Sequence, residues 1–178
     1  KQDVNKEFAV VDLGGDFINS SFGLHHNVPM PSWPLTSMGV TALWQFREPW
    51  TLKAAFFDGL PQIGTWGFSG SGETFTIGEC ERQWKLCHEQ LPGEFHVGLW
   101  YHNGQWSNVQ DESLVHQGNH GAYLGLDQML WKESSDAEDS QGLGLFLQYG
   151  WSPESLNEVP HYFGAGLLYK GLLPGRDD

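Results

Sequence analysis

His96, Trp100 and His102 share one face of the alternating stretch Gly93 to Gly104, G-E-F-H-V-G-L-W-Y-H-N-G, opposite Phe95, Val97, Leu99 and Tyr101. Strict alternation marks a strand whose two faces meet different surroundings. One face is apolar; the other mixes glycine, imidazole and indole, a set suited to water or to a sugar. Imidazole nitrogens exchange hydrogen bonds with hydroxyls, and an indole offers a flat face with one polar edge. Other alternating stretches place Lys53, Asp127, Gln148 and Lys170 opposite their own aliphatic residues. Asp127 is costly both in lipid and in a dry core.

These residue types offer hydrogen bonding and charge rather than bond making. Ser20 and Ser21 do not sit in a G-x-S-x-G elbow, and the carboxylates gather in turns. A glycosidase pair such as Glu94 with Asp127 is a formal alternative. Cys80 and Cys87, with six residues between them, are expected to close a local disulfide in an oxidising compartment. Zinc held by Cys80, Cys87 and His88 competes with that reading but lacks a fourth ligand and C-x-x-C spacing; free thiols are the third reading. The acidic link Glu133 to Asp139 lacks the ligand spacing of a calcium loop and reads as a solvated turn. No metal or cofactor is expected.

About eight alternating stretches must position these groups, joined by turn-rich links. The first covers Glu7 to Ile18, with ambiguous facing, and leads into an excursion marked by Pro29, Pro31 and Pro34. Gly39 to Phe46 and Thr51 to Asp58 form the clearest hairpin, across Arg47-Glu48-Pro49-Trp50, so they are antiparallel neighbours. A Gly/Ser-rich loop, Gly64 to Gly72, precedes a short strand, Glu73 to Glu79, after which the cysteine stretch reads as a polar connection. The stretch at Gly93 follows, then a long polar loop from Asn103 to His120, then strands at Gly121 to Lys132, Leu143 to Trp151 and His161 to Gly171. Gln128 falls on the aliphatic face of its strand, which suggests an interface or a bulge there.

With 22 acidic against 9 basic residues, a net charge of -13 argues against nucleic acid, whose phosphates need Lys and Arg clusters. Nine Trp, 11 Phe and 23 Gly, with no long helical pattern, indicate an all-β protein. No segment reaches the ~18 consecutive apolar residues of a membrane helix. Strands of an outer-membrane barrel need only about 9 to 11 alternating residues and escape that criterion. Several apolar faces here end in Trp or Tyr, as interfaces of a bilayer favour. Periodicity therefore leaves two architectures: a membrane barrel, and a soluble β-barrel or sandwich. The chain has no initiator Met and no leader, and it reads as a section of a longer protein, a single domain over 1–178 that is incomplete at both ends.

Three stretches narrow the choice. Phe17-Ile18-Asn19-Ser20-Ser21-Phe22-Gly23 with its trailing prolines, Tyr123-Leu124-Gly125-Leu126-Asp127-Gln128-Met129-Leu130, and Tyr169-Lys170-Gly171-Leu172-Leu173-Pro174-Gly175-Arg176-Asp177-Asp178 together resemble the carbohydrate-selective outer-membrane porins, the OprB-like family. Phe57-Asp58-Gly59-Leu60-Pro61, Leu91-Pro92-Gly93-Glu94, Gly142-Leu143-Gly144-Leu145-Phe146 and Pro153-Glu154-Ser155-Leu156-Asn157 add matches in family order.

The resemblance implies an antiparallel transmembrane β-barrel of about 16 strands, of which this chain holds roughly half, in the bacterial outer membrane. It implies passive diffusion of glucose-type sugars and no enzymatic step. The implied partners are monosaccharides such as glucose and outer-membrane lipid, with a homo-oligomer left open. If the aliphatic faces meet lipid, the opposite faces give Lys53, His96, Trp100, His102, Asp127, Gln148 and Lys170 to the channel wall, with Asp127 and Lys170 foremost. Beside that stand two plainer readings: Asp127 and Lys170 as braces between strands, and Trp100 as a packing residue. A soluble sugar-binding module stacking rings on Trp66, Trp100 and Trp106 is the alternative function.

Overall fold

The computed structural model describes residues 25–30, 37–60, 67–87, 91–133 and 141–170. Seven strands lie in these segments: β1 (Gly39–Arg47), β2 (Trp50–Asp58), β3 (Thr74–Leu86), β4 (Leu91–Ser107), β5 (Val115–Lys132), β6 (Gly142–Trp151) and β7 (His161–Lys170). Each pairs antiparallel with the next, giving one sheet in sequence order and no helix among the described residues. The expected strand at Glu7 to Ile18 lies outside the described residues, as do His88, Trp66 and most of the acidic link after Glu133.

Two expected connections are strand instead. The polar stretch after Glu79 continues β3 as far as Leu86, and most of Asn103 to His120 belongs to β4 and β5, leaving 108–114 as the link. Polar side chains do not interrupt a ladder when the neighbouring strand satisfies the backbone, as β4 does for β3 from Phe75↔His102 to Leu86↔Leu91. This overturns the disulfide between Cys80 and Cys87. Cys80 sits within β3 and Cys87 just beyond its end, and both are free. Seven residues of extended chain put them roughly 23 Å apart, whereas a disulfide needs Cα atoms within about 7 Å. The same separation removes a shared zinc site.

Burial alternates opposite to a soluble sheet. On β4, Val97 (42% exposed), Leu99 (67%) and Tyr101 (49%) point outward, while His96 (2%), Trp100 (3%) and His102 (7%) are buried on the other face. Outward Leu52 and Phe56 on β2, and Phe163 and Leu167 on β7, continue the apolar surface. Its limits are aromatic. Trp131 and Tyr169 lie 6.0 Å apart near one end, and Trp151 stands 5.8 Å from His120 near the other. From Gly93 to Tyr101 the strand spans roughly 27 Å, or about 20 Å of height at a barrel's ~40° tilt.

Gln128 faces outward at the first of these limits. It accepts a hydrogen bond from Trp84 Nε1 at 2.7 Å and donates to the Met129 carbonyl at 2.8 Å. The β5–β6 register shifts immediately after it, between Met129 and Trp131. The bulge that the sequence allowed at Gln128 is present as this register shift.

Inner-face glycines make room for rings. A Cβ at Gly98 would fall 2.2 Å from Tyr123 Cζ, and one at Gly121 would fall 2.6 Å from Trp100 Nε1. Each large ring thus lies over the glycine opposite it in the ladder, Gly98↔Tyr123 and Trp100↔Gly121. β1 and β7 are not paired with one another. Closure of this set of strands on itself is therefore not what the described residues form; the sheet keeps two open edges.

Candidate functional site

The inner face has two zones. One is apolar: Ala55, Phe57, Phe75, Ile77, Trp100 and Tyr123 form a buried cluster, against which Val28 and Met30 pack. Here the aliphatic residues of β3 point inward, contrary to the expectation that every aliphatic face meets lipid. The reason is the cover: the segment 25–30 lies across them and supplies the apolar contact that water would not.

The second zone is charged, toward the end of the sheet that carries the β1–β2 and β3–β4 turns. Lys53 and Glu79 are ladder partners, as are Glu81 and His96, and Glu94 and Asp127. The Lys53 ammonium lies 3.1 Å from Glu79 Oε1 and 2.7 Å from Glu81 Oε2. His96 Nδ1 is 3.3 Å from the same Glu79 oxygen, and its Nε2 is 3.0 Å from Glu94 Oε1. Tyr123 donates its hydroxyl to Glu79 Oε2 at 2.7 Å. Glu79 is thus the hub of a network spanning β2 to β5. Two triads, Glu79-Glu81-His96 and Glu94-His96-Asp127, keep their ligand atoms within 4.8 Å. The Lys53 ammonium already supplies the cation in the first.

Beyond Glu94 and Asp127 the face opens into a cavity of about 1000 Å³, lined on its inner side by Gln45, Gln83, Glu94, Asp127, Phe146 and Leu168. Of the residues expected in the channel wall, Lys53, His96 and Asp127 come together here. Trp100 sits in the apolar cluster, its ring 6.2 Å from Phe75, which is the plainer packing reading. His102 braces the opposite end. Its Nδ1 accepts from Gly104 N–H at 3.0 Å and Trp106 Nε1 at 3.2 Å, so Nε2 carries the proton and donates to the Gly59 carbonyl at 2.8 Å. Lys170 ends β7 opposite Gly142, away from the Lys53 network. Gln148 faces inward on β6, paired with Gly125 on one side and Gly164 on the other.

Sequence reasoning took Glu94 only as half of a formal carboxylate pair with Asp127, and missed Glu79, Glu81, Tyr123 and Asn27. Counting by twos from Phe75 through Ile77 reaches Glu79 and Glu81, so the signal was present once β3 was known to continue. For His25 and Asn27 no local pattern exists. They are buried on the wall, with His25 stacked edgewise between Tyr123 (5.4 Å) and Tyr162 (5.6 Å). Burial pushes the His25 imidazole down to about 4, against a smaller opposing pull from Glu79, so it is neutral at pH 7 with one donor and one acceptor nitrogen.

Comparison with known proteins agrees on the family. The model of the carbohydrate-selective porins, OprB family, matches residues 1–178. The chain is 27% identical over 164 residues to Porin B of Pseudomonas aeruginosa, covering 82% of this chain and 36% of that protein. It is 27% identical over 160 residues to the putative porin QuiX of Acinetobacter baylyi, covering 82% of this chain and 35% of that protein. A high-pH structure of Pseudomonas putida OprB superposes with a TM-score of 0.69 at 21% identity, covering 83% of this chain and 38% of that one. The chain spans a little over a third of the length of the curated relatives it matches.

Proposed function

Because this chain belongs to the OprB family of carbohydrate-selective porins, we propose that it is a section of an outer-membrane barrel through which glucose-type sugars diffuse passively. The family is one of outer-membrane channels, not enzymes. The observation that carries the reading is the inverted burial of β4: a strand that exposes Val97, Leu99 and Tyr101 while enclosing His96 and His102 is built for an apolar solvent outside and a polar interior.

In this reading Asp127, beside Glu94 at the mouth of the 1000 Å³ cavity, and Lys170, the last residue of β7 and on its less exposed face, meet the solute. Lys53 and His96 act through the Glu79 network that holds the wall rigid. A sugar channel needs contacts strong enough to replace water and weak enough to release, and carboxylates at a cavity rim meet that need better than a fully enclosed ion cluster. Outer-membrane lipid covers the outward face, and a homo-oligomer would use part of it.

The test is sugar flux and ion current of the whole porin in planar bilayers. Asp127→Ala and Lys170→Ala are expected to lower selectivity for glucose over an uncharged polyol by severalfold with the barrel intact. Unchanged glucose flux in both variants removes these residues from the path. A protein that is monodisperse in plain buffer, with its apolar strand faces buried, would favour the soluble sugar-binding module instead.

A further inference from the structure

The charged network is not the part of the wall best suited to a neutral sugar. Where the segment 25–30 lies against β5 to β7, three buried side chains have no hydrogen-bond partner among the described residues: both nitrogens of His25, both carboxamide atoms of Asn27, and both of Gln148 on β6. They are 2%, 5% and 3% exposed. Buried polar groups are almost always paired, and an unmade bond costs the full desolvation of the group.

These groups converge. Gly150 pairs with Tyr123 on one side and Tyr162 on the other. Asn27 lies over it, its Oδ1 only 2.2 Å from where a Cβ would be. Over neighbouring Gly164 lie Gln148 Oε1 and Tyr162 Oη, 2.9 and 3.3 Å from the corresponding point. His25 completes the group against both tyrosine rings. The two glycines thus make room for the Asn27 and Gln148 side chains, and two amides, one imidazole and two phenols pack together over them.

We propose that this place, between the segment 25–30 and the Gly150–Gly164 wall, is a subsite for an uncharged polyhydroxyl ring, a neutral hexose. The proposal rests on the sugar-channel reading and names where selectivity for neutral solutes arises. A hydroxyl both donates and accepts, and each carboxamide and a neutral imidazole present the matching pair. The tyrosine rings supply the flat apolar surface. No fixed charge belongs to the set, so a sugar acid would be desolvated there without a counter-ion. Among the described residues, the backbone hydrogen bonds of the segment are internal, Val28 N–H to His25 C=O and Met30 N–H to Val28 C=O. It can therefore shift from the wall to admit the ring without breaking the ladder.

The experiment uses the whole porin in planar bilayers, with glucose as probe and gluconate as its charged counterpart. Asn27→Leu and Gln148→Leu are each expected to raise the glucose concentration at half-saturation at least fivefold. Potassium chloride conductance should stay within twofold, and the melting temperature of the empty porin in detergent should not fall. Wild type should bind glucose at least fivefold more tightly than gluconate. Asn27→Ala, outside the strands, repeats the test if a leucine variant fails to fold. Glucose affinity unchanged in the folded variants, or lower melting temperatures with affinity intact, would overturn the subsite, since the amides would then be serving internal partners. A wild-type channel that conducts ions but shows no saturation by glucose would instead sink the sugar-channel reading beneath it.

Discussion

Glu79 is the residue on which the inner wall depends, because one carboxylate serves Lys53, His96 and Tyr123 together. Glu79→Gln leaves Lys53 with Glu81 alone, and we expect a loss of about 3 kcal/mol, since removing one member strands its buried partners. Urea unfolding in detergent micelles measures it; a loss below ~1 kcal/mol would mean that lumen water replaces the bonds. His25 makes a separate, pH-dependent contribution. Its folded pKa, about 4, lies below the ordinary 6.5, so the folded state holds fewer protons than the unfolded one. Stability from this group is complete above pH ~6.5 and is lost as pH falls toward ~4. His25→Phe should flatten that part of the stability profile, with Glu79 and His26, the charged and titratable neighbours of the ring, left in place. A profile identical to wild type would show that the ring is already hydrated.

At the level of strands, the two faces make opposite demands. Leu99→Lys puts an ammonium at the middle of the outward face, and we expect about 2 to 4 kcal/mol of destabilisation in a bilayer. In a soluble protein the same exposed position (67% exposed) would tolerate it, so folding into liposomes separates the cases. Gly98→Val drives a branched side chain into the Tyr123 ring, with an expected cost of about 1 to 3 kcal/mol. Combining it with Tyr123→Leu should recover part of the loss; strict additivity would deny the ring-over-glycine contact. The extended run of β3 through Leu86 predicts two thiols per chain by titration under denaturing, non-reducing conditions.

At the scale of the whole sheet, the strands of the described residues end at β1 on one side and β7 on the other, and these two do not pair with one another. In lipid an unpaired edge leaves backbone groups unsatisfied at several kcal/mol each, so the described strands β1 to β7 by themselves should neither insert stably nor carry current. Discrete channel openings from these strands alone at low concentration would contradict this. The wall's division into an apolar zone under the segment 25–30 and a charged zone beside the cavity then makes the lumen asymmetric along its axis.

The amino-acid sequence by itself determined the strands and which side of each is apolar, because period-two alternation is a local property written into residues such as Phe95 through Tyr101. It also carried the family resemblance. The sense of the burial, apolar side out, followed from that resemblance and is what β4 and β7 display, whereas on β3 Phe75 and Ile77 turn inward. Only the tertiary structure decided which wall residues meet. Lys53, Glu79, His96 and Tyr123 lie on four different strands, and their contact depends on ladder registers that no single stretch encodes. The continuation of β3 that parts Cys80 from Cys87 depends on pairing with β4. The inward position of His25 and Asn27 is set by packing of a segment with no periodicity of its own, which is why the unpaired amides beside Gly150 were invisible until the chain was folded.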